Sequence, residues 1–491
     1  MKKRPNVLLI CCDQLRPDAF GYAGNRHIQT PHINELAAAG VSFRNAISEC
    51  PVCLPARKIM MTGRNAYENE QFDNFPPTSF PDRGPFLAEC FSKAGYQTQA
   101  IGKMHVSPPR FRAGFDHILL NEEGRRHDGM RMDDYADYLR EHGMLDRLYE
   151  HGMPANGFHS RPGTLPEEHD SNSWVAREAA RFLQRRDTTA PFFLYASFRD
   201  PHPPLCPPQF YWDLYKDKSV HEPVRGDWLG ANEPPILGRD RLNQDYDKLT
   251  ETERQQAIRA YYGMITHIDH RIGSIMGQLG SQWLTGDTIV VFLADHGEML
   301  FDHDAFCKSK FYRSSAGIPF VIMPPGNDNL GIQTSSERDE PVMLQDLMPT
   351  LLDLCDIPVP ETCTGKSLAP LLRDPKATIR DHAFGRHGTQ QDAASYVIQD
   401  KDWKYLYFVE GGIEQLFDVR NDYYDCHDLS GKSEHAERLA NYRRKLIEEL
   451  EAVGDSNAVN GKLRATDPRL ADPAAPRRYK NNGVRSYYWP S

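Results

Sequence analysis

The sequence predicts an α/β fold, in which a large doubly wound sheet comes first and a smaller α+β domain follows it. One observation is a series of short runs that are apolar nearly throughout, as in strands buried on both faces of a parallel sheet. The other is the helical periodicity between these runs, because strands that alternate with helices are typical of doubly wound domains. Five runs are predicted as strands of the large sheet: residues 6–12, 97–101, 192–198, 288–294 and 320–323.

The clearest predicted helix covers residues 252–279. Apolar residues recur there at every third or fourth position, which indicates one buried face. They are Ile258, Tyr261, Ile265, Ile268, Ile272, Ile275 and Leu279. Residues 121–166 have weak periodicity and several His, Arg and Gly residues, so we interpret them as an insertion over one end of the sheet. Insertions of this kind often determine substrate specificity.

A second region begins near residue 376. Residues 395–398 and 403–408 are predicted strands, and residues 434–452 are a predicted helix. The domain prediction is therefore a large α/β domain at residues 1–375, a small α+β domain at 376–453 and an extended tail at 454–491. The tail is polar but ends in aromatic residues. It either docks on this chain, or docks on a second copy and makes a homo-oligomer, or is a frayed terminus.

Composition excludes several classes of protein. The 491 residues include 58 Lys and Arg against 68 Asp and Glu, a net charge of −10, so we expect no broad surface for nucleic acid. No run approaches the ~18 apolar residues of a membrane span, and the first apolar run is too short for a signal-peptide core. Ten cysteines are too few for a disulfide scaffold. We expect a cytoplasmic protein with no membrane or nucleic-acid partner.

Polar, chemically capable residues directly follow four of the five predicted strands. Because ligands bind beyond the carboxyl ends of the strands in open α/β sheets, we expect these residues to meet in one crevice. The four segments are Asp13-Gln14, Gly102-Lys103-Met104-His105, Arg199-Asp200-Pro201-His202 and Asp295-His296-Gly297-Glu298.

Asp13, Gln14, Asp295 and His296 form a candidate metal site within that crevice. A set of oxygen ligands with one imidazole suits a hard divalent cation better than structural zinc. We expect Ca²⁺, with Mg²⁺ or Mn²⁺ as alternatives. For Asp13 taken alone, a turn or a helix cap is an equally good interpretation.

The segment Cys53-Leu54-Pro55-Ala56-Arg57, followed by Thr62-Gly63-Arg64, is the next chemically distinctive feature. Pro is favoured at the first helical position, so Cys53 is predicted at or just before a helix N-terminus. Backbone N–H groups and the helix dipole favour an anion there and make a thiol easier to ionise. Arg57 adds a positive charge one turn later. The alternative, a small buried hydrophobe, is the interpretation we adopt for most of the other cysteines.

This segment resembles the motif of the type I sulfatases, a family within the alkaline phosphatase superfamily. In that family the Cys is oxidised to Cα-formylglycine, and the formylglycine-generating enzyme recognises the motif. The four polar segments stand in the family's order, and the resemblance covers roughly residues 5–450. It implies an alkaline phosphatase-like fold with a large mixed sheet and a small C-terminal domain. Further matching segments are Gly114-Phe115-Asp116, residues 346–352, Gly365-Lys366-Ser367-Leu368, Trp403-Lys404-Tyr405 and residues 414–418.

The resemblance implies a role for each residue of the reaction centre. Cys53, as formylglycine hydrate, would be the nucleophile that attacks sulfur, and its second hydroxyl would later release sulfate. Arg57 would steady the hydrate, and His105 would take a proton from it. His202 would protonate, or hydrogen-bond to, the leaving oxygen. The ligands of Ca²⁺ would be Asp13, Gln14, Asp295, His296 and the modified Cys53.

The resemblance implies two cationic residues that bind sulfate oxygens, Lys103 and Lys308. Lys310 competes with Lys308 for this role, and we prefer Lys308 because it stands in the family's register. The activity implied is that of a sulfuric ester hydrolase, which releases inorganic sulfate from a sulfated small molecule or carbohydrate. We therefore expect a formylglycine-generating enzyme as a partner during maturation.

Gln14 departs from the family pattern, since many sulfatases have a second Asp at this position. Members with Gln occur in the phosphonate monoester hydrolase branch, so a phosphonate monoester or phosphodiester hydrolase with the same nucleophile is the alternative activity. The pairing of Lys103 with His105 is the sulfatase-like arrangement and favours sulfate esters. A third interpretation is a non-catalytic scaffold that binds an anion or a glycan.

Overall fold

The computed structural model describes residues 4–80, 84–122, 126–127, 130–131, 133–243, 246–327 and 330–468. The centre of the fold is an eight-stranded mixed sheet. The strands in chain order are β1 (Asn6–Asp13), β2 (Val41–Phe43), β3 (Gln97–Gly102), β4 (His117–Leu120), β5 (Phe192–Pro201), β6 (Thr288–Ala294), β7 (Phe320–Met323) and β8 (Ser336–Arg338). They lie side by side in the order β8-β2-β7-β6-β1-β5-β3-β4.

The five strands from β6 to β4 in this order run parallel. Strand β7 is antiparallel to β6 and to β2, which makes the sheet mixed. Strands β1 and β6 are buried along their whole length, as their continuous apolar sequences predict. The carboxyl ends of β1, β3, β5 and β6 therefore meet at one edge of the sheet, and the chemically capable residues follow there.

Twelve α-helices lie within the described residues, and the longest, α8, packs against α1, α5, α6 and β5. A Thr250–Glu253 capping box fixes the start of α8. The first six helices are α1 (Pro31–Ala39), α2 (Cys53–Thr62), α3 (Leu87–Lys93), α4 (Asp134–Glu141), α5 (Ser171–Arg185) and α6 (Gln209–Tyr215). The other six are α7 (Pro235–Asn243), α8 (Glu251–Ser281), α9 (Arg313–Ala316), α10 (Leu347–Leu354), α11 (Ala369–Arg373) and α12 (Ala436–Ala452).

The C-terminal part is a four-stranded antiparallel sheet with one long helix. Its strands follow one another as β9 (Ala383–His387), β10 (Ser395–Gln399), β11 (Trp403–Phe408) and β12 (Ile413–Asp418). Tyr442, Leu446 and Leu450 of α12 form an apolar cluster with residues of this sheet. Three two-residue ladders in the described chain pair Ala46–Ile47 with Val342–Met343, Arg126–His127 with Met130–Arg131, and Ala458–Val459 with Lys462–Leu463.

The predicted fold class is confirmed, and all five strands predicted for the large sheet are present. Three bounds differ by more than a residue: β5 continues to Pro201, α8 ends at Ser281, and α12 begins at Ala436 after a single 3₁₀ turn. Strands β2, β4, β8, β9 and β12 were not predicted as strands. Most of them are short or carry polar and Gly residues, so their sequences lack a continuous apolar run.

The predicted tail is described only as far as residue 468. The Thr466 carbonyl accepts a hydrogen bond from the Gly411 N–H at 2.8 Å, and the Tyr407 hydroxyl donates to the Arg464 carbonyl at 2.6 Å. This first part of the tail therefore docks on the C-terminal sheet of its own chain. The aromatic end of the tail lies outside the described residues. Within the described residues, no helix combines the length and the apolar character that a membrane span requires.

Candidate active site

The first side chains of the site come from the ends of neighbouring strands and the start of a helix. Asp13 is the last residue of β1, Asp295 directly follows β6, and α2 begins at Cys53. The Gln14 backbone N–H donates to the Asp295 carboxylate at 3.1 Å, which ties the two strand ends together. Cys53, Asp13 and Asp295 are each at most 1% exposed, so the centre is enclosed by protein.

Asp13, Cys53, Asp295 and His296 form a cluster that fits a metal ion. One ligand atom from each of the four lies within 4.8 Å of all the others, and all four residues are buried. The Cys53 Sγ is 3.2 Å from the His296 Nε2, which is 3.6 Å from an Asp13 carboxylate oxygen. Two buried carboxylates with an imidazole match the donors that a divalent cation requires.

Gln14 lies beside this cluster in a constrained conformation. Its φ of 63° is in the left-handed region, which is uncommon for a residue with a side chain. The Tyr261 hydroxyl of α8 donates to the Gln14 carbonyl at 2.8 Å and fixes the turn. The Gln14 side-chain oxygen accepts a hydrogen bond from the Lys308 Nζ at 2.6 Å, and its Nε2 donates to Glu298. The side-chain amide therefore links Lys308 to Glu298, and the backbone N–H of the same residue contacts the cluster at Asp295.

The surroundings of the Cys53 thiol favour its ionised form. Burial alone would raise its pKa, and the Asp13 carboxylate acts in the same direction. Lys308, Lys103 and His296 outweigh both and hold the pKa below its ordinary value. The Lys308 Nζ lies 3.3 Å from Sγ. The position at the N-terminus of α2 adds backbone N–H groups that favour negative charge.

The other nine cysteines have the opposite character. All ten are free thiols. Burial raises the pKa of Cys11, Cys206 and Cys355 to about 12, and it also raises the pKa of the remaining six. A buried neutral thiol is a small hydrophobe. Cys53 is thus the one cysteine whose environment favours negative charge.

Arg57 connects three strand ends beneath the cluster. Its Nε donates to the Asp295 carboxylate at 2.8 Å. Its NH1 donates to the Lys103 carbonyl at 2.6 Å, the Tyr195 hydroxyl at 3.0 Å and the Ser197 hydroxyl at 2.9 Å. Arg57 is fully buried, and the planar guanidinium suits a site with several acceptors. It therefore holds the ends of β3, β5 and β6 in fixed relation to α2.

Lys103 and Lys308 bring two more positive charges to the centre. The Lys103 Nζ forms an ion pair with the Asp13 carboxylate, and both side chains are buried. Gly102, which precedes Lys103, has φ +100°, and a Cβ on it would come within 1.8 Å of the Ser197 carbonyl. Only glycine permits this close approach of β3 to β5. With Arg57 and the α2 N-terminus, the lysines concentrate positive charge that suits a tetrahedral anion.

Lys310 is the alternative to Lys308 for the role of binding sulfate oxygens, and it lies in a different position. Its Nζ lies 2.6 Å from the Asp240 carboxylate and donates to the Lys308 carbonyl at 2.9 Å. The Lys308 Nζ, by contrast, contacts Cys53 directly. The geometry therefore favours Lys308 as the group that meets an anion in the pocket.

The two candidate histidines lie on the loops after β3 and β5. His105 has a left-handed φ of 50°, and its N–H and that of Met104 both donate to the Glu122 carboxylate at 2.7 Å. His202 is buried, with its Nδ1 2.6 Å from the Pro203 carbonyl. Burial raises the pKa of Asp13, but Lys103 and His202 are the main groups that hold it well below its usual range. His202 therefore lies near the metal cluster.

Glu298 is a site residue to which the sequence analysis gave no role. Its buried carboxylate accepts hydrogen bonds from the Leu300 N–H at 2.8 Å, the Cys307 N–H at 2.5 Å and the Gln14 amide. Burial raises its pKa. Glu298 thus couples Gln14 to the segment that carries Lys308. The sequence feature that could have identified Glu298 as a site residue is its position in the polar segment after β6, three residues beyond Asp295.

Comparisons with known proteins show what the chain as a whole is similar to. A family model described as "Sulfatase" matches residues 5–357, and one described as "N-sulphoglucosamine sulphohydrolase, C-terminal" matches residues 301–452. An arylsulfatase of Clostridium perfringens (strain 13 / Type A) is 38% identical in an alignment of 478 positions that covers 94% of this chain and 97% of the relative. An ulvan-active sulfatase of Formosa agariphila is 28% identical, over 92% of this chain and 82% of the relative.

A solved structure with the same fold is the phosphonate monoester hydrolase of Agrobacterium radiobacter. It superposes with a TM-score of 0.77 at 24% identity and covers 92% of this chain and 96% of its own. At this level of identity the likeness concerns the fold.

Proposed function

Because this chain belongs to the sulfatase family and is a sulfuric ester hydrolase, we propose that it cleaves an organic sulfate with a nucleophile made from Cys53. The observation that supports this most directly is the setting of Cys53. It begins α2, and its Sγ lies 3.3 Å from the Lys308 Nζ and 3.2 Å from the His296 Nε2. The proposed nucleophile would thus have one cationic side chain and one residue of the candidate metal site within contact distance.

Conversion of Cys53 to formylglycine is part of this proposal. The hydrated aldehyde supplies an oxygen nucleophile in place of the thiol. The Cys53 side chain is 1% exposed in the folded chain, so a modifying enzyme would need to act before folding buries the segment. A formylglycine-generating enzyme is therefore the partner that we propose for maturation.

Asp13, Asp295, His296 and the modified Cys53 would hold a divalent cation, which we propose to be Ca²⁺, with Mg²⁺ or Mn²⁺ as alternatives. The Gln14 side-chain oxygen would be a further ligand. The cation supplies charge that lowers the pKa of the nucleophile. The two carboxylates need that charge as well, because buried like charges repel each other.

The cationic side chains stabilise the charge of the reacting sulfate. We assign Lys103 and Lys308 to the sulfate oxygens, since both are buried beside Asp13 and Cys53. As the S–O bond breaks, negative charge moves to the leaving oxygen, and fixed cations in a buried site act strongly on such a change. Arg57 keeps Lys103 and Asp295 in position through its hydrogen bonds.

Two histidines would move protons in this reaction. We assign His202 to the leaving oxygen, which it protonates or to which it donates a hydrogen bond. The Pro203 carbonyl lies 2.6 Å from the Nδ1 of His202. This contact fixes the ring and so orients its Nε2. We assign His105 to the proton of the nucleophile, and Glu122 fixes the backbone that carries it.

Removal of the divalent cation is expected to abolish sulfate release and to lower the Tm. The physical reason is that Asp13 and Asp295 would keep only Lys103 and Arg57 to compensate their burial, and a ligand that binds the folded state stabilises it. The measurement is sulfate release and the Tm after treatment with EDTA, then after addition of Ca²⁺, Mg²⁺ or Mn²⁺. The Tm of an Asp295→Asn variant should respond weakly to Ca²⁺. Unchanged rate and Tm in protein shown by elemental analysis to be metal-free would refute the assignment.

Gln14 favours one alternative, a phosphonate monoester or phosphodiester hydrolase that uses the same nucleophile. A neutral amide in place of a carboxylate leaves the site with one fewer negative charge. The decisive experiment compares kcat/KM for p-nitrophenyl sulfate, p-nitrophenyl phenylphosphonate and bis-p-nitrophenyl phosphate. We expect the sulfate ester to be the best of the three substrates. A clear preference for either phosphorus ester would overturn the assignment of the main activity.

A further inference from the structure

A cavity of about 820 Å³, counting the part that opens to solvent, lies beside the catalytic residues. Asp200, Pro203 and Pro204 line it, and these residues flank His202 in the chain. Asn121 lines it from the end of β4, and its N–H donates to the Gly102 carbonyl at 3.0 Å. The cavity is therefore at the same edge of the sheet as Lys103 and His202.

Asn121 offers a buried polar group for which the described protein provides no partner. The residue is 2% exposed, and its side-chain Nδ2 has no hydrogen-bond partner among the described residues. A buried polar group without a partner is costly in free energy. An occupant of the cavity that accepts a hydrogen bond from this amide would remove that cost.

His151 adds a second neutral donor to the wall. Burial, with Arg199 and Arg161 nearby, lowers its pKa to about 4, so the ring is uncharged at neutral pH. Its Nδ1 accepts a hydrogen bond from the Met153 N–H at 3.0 Å. The ring proton is therefore on Nε2, because a neutral imidazole has one donor and one acceptor nitrogen.

Charged side chains of both signs line the cavity. Its described lining contains two arginines and two aspartates, Arg147, Arg199, Asp170 and Asp200. Arg199 lies 3.0 Å from the Asp200 carboxylate, and Arg147 lies 3.2 Å from Glu150. Burial, with Asp200 nearby, raises the pKa of Asp170 to about 7, so this carboxyl is partly protonated at neutral pH. With each arginine beside a carboxylate, the lining has no strong excess of either charge. It offers many donors and acceptors instead.

Tyrosine rings complete the wall. Tyr135 and Tyr149 both line the cavity. The Tyr135 hydroxyl already donates to the His169 carbonyl at 2.8 Å, so the ring is the part of this residue that remains for an occupant. Aromatic rings with fixed polar groups between them suit a ligand that has apolar C–H faces and polar edges.

We propose that this cavity binds the alcohol half of the sulfate ester and that this half is a sugar ring without further charge. The hydroxyl groups of a sugar both donate and accept, so they can accept hydrogen bonds from the Asn121 amide and the His151 ring together. Its C–H faces can pack on the tyrosine rings. A flat aryl group would leave the polar wall without partners, and such a loss discriminates strongly between substrates. This inference rests on the proposed sulfatase activity and specifies its substrate class.

The test compares Asn121→Ala and His151→Ala with the wild-type enzyme on two kinds of substrate. One is a panel of monosaccharide sulfates (glucose 6-sulfate, galactose 6-sulfate and glucose 3-sulfate), and the other is p-nitrophenyl sulfate. We expect the ratio of kcat/KM for the best sugar sulfate to kcat/KM for the aryl sulfate to fall about threefold to tenfold in each variant, the scale of one hydrogen bond. His117→Ala and Asn441→Ala are matched controls on exposed positions outside the cavity, and they should leave the ratio unchanged.

The outcomes separate this inference from the proposed function. If the wild-type enzyme hydrolyses p-nitrophenyl sulfate but none of the sugar sulfates, the inference is wrong and the sulfatase activity stands. An unchanged ratio in both cavity variants, with Tm values near that of the wild type, would also overturn it. If the wild-type enzyme releases sulfate from no ester at all, the proposed function and the inference fail together. Two separate variants guard against the case in which one of them does not fold.

Discussion

Replacement of Cys53 by alanine is expected to reduce sulfate release by roughly 10⁴-fold or more, the scale on which loss of a nucleophile acts in enzymes that form covalent intermediates. Alanine cannot be converted to an aldehyde, so no nucleophile remains between Lys308 and His296. The fold should survive, because the change removes one buried sulfur atom from the first turn of α2 and alanine is a good helix former. Sulfate release measures the rate, and the Tm reports on the fold.

A matched control separates the role of Cys53 from that of an ordinary buried thiol. Cys90 is also a buried helical cysteine, in α3, and its pKa is raised by burial to about 11. We expect Cys90→Ala to retain its turnover. Mass spectrometry of the wild-type peptide that contains Cys53 should detect the aldehyde in active protein. Fully active protein in which residue 53 is still a thiol would contradict the proposed nucleophile.

Replacement of Lys308 by alanine is expected to lower kcat by roughly 10²- to 10³-fold, as the loss of one fixed charge-stabilising donor does in other enzymes. The Lys308 Nζ is 3.3 Å from the Cys53 Sγ and 2.6 Å from the Gln14 side-chain oxygen. It therefore borders both the position of the nucleophile and the metal cluster. A loss of binding alone would raise KM, so kcat and KM should be measured separately.

Lys310 is the matched control, since it is the same residue type two positions away. Its ammonium contacts Asp240 and the Lys308 carbonyl. Lys310→Ala should therefore lower kcat by less than roughly tenfold, the effect of one indirect hydrogen bond. If Lys310→Ala were the more damaging substitution, with both variants folded, the assignment of the sulfate-binding lysine would be reversed.

Much of the site could be predicted because the chemistry follows the strand ends in the sequence. Continuous apolar runs mark β1, β5 and β6, and the residues that directly follow a parallel strand have only one edge of the sheet to occupy. The strand ends alone therefore predict that Asp13, Lys103, His202 and Asp295 share one crevice. Cys53 follows no predicted strand; Pro55 and Arg57 mark it as a thiol at a helix N-terminus, and the resemblance adds its role as nucleophile.

The features of the fold and the site that the sequence did not predict depend on contacts between distant segments of the chain. Glu298 binds Gln14 through a hydrogen bond across 284 positions of the chain, and no local pattern predicts a pairing of that kind. The direction of β7 was not specified either, since its apolar run is the same for a parallel or an antiparallel neighbour. The cavity lined by Asn121 and His151 exists only because the weakly periodic region after β4 folds back towards the end of β5.

The connections made by Cys53 and Gln14 also bear on how the enzyme reaches its active form. Cys53 meets Lys308 across 255 positions, and the Gln14 N–H meets Asp295 across 281. Contacts of such high contact order are entropically expensive to close and form late in folding. Regained turnover during refolding should consequently mark the last stage of chain assembly. A ribosome-bound chain that stops before β6 would contain the Cys53 segment, still accessible to modification, and no catalytic centre.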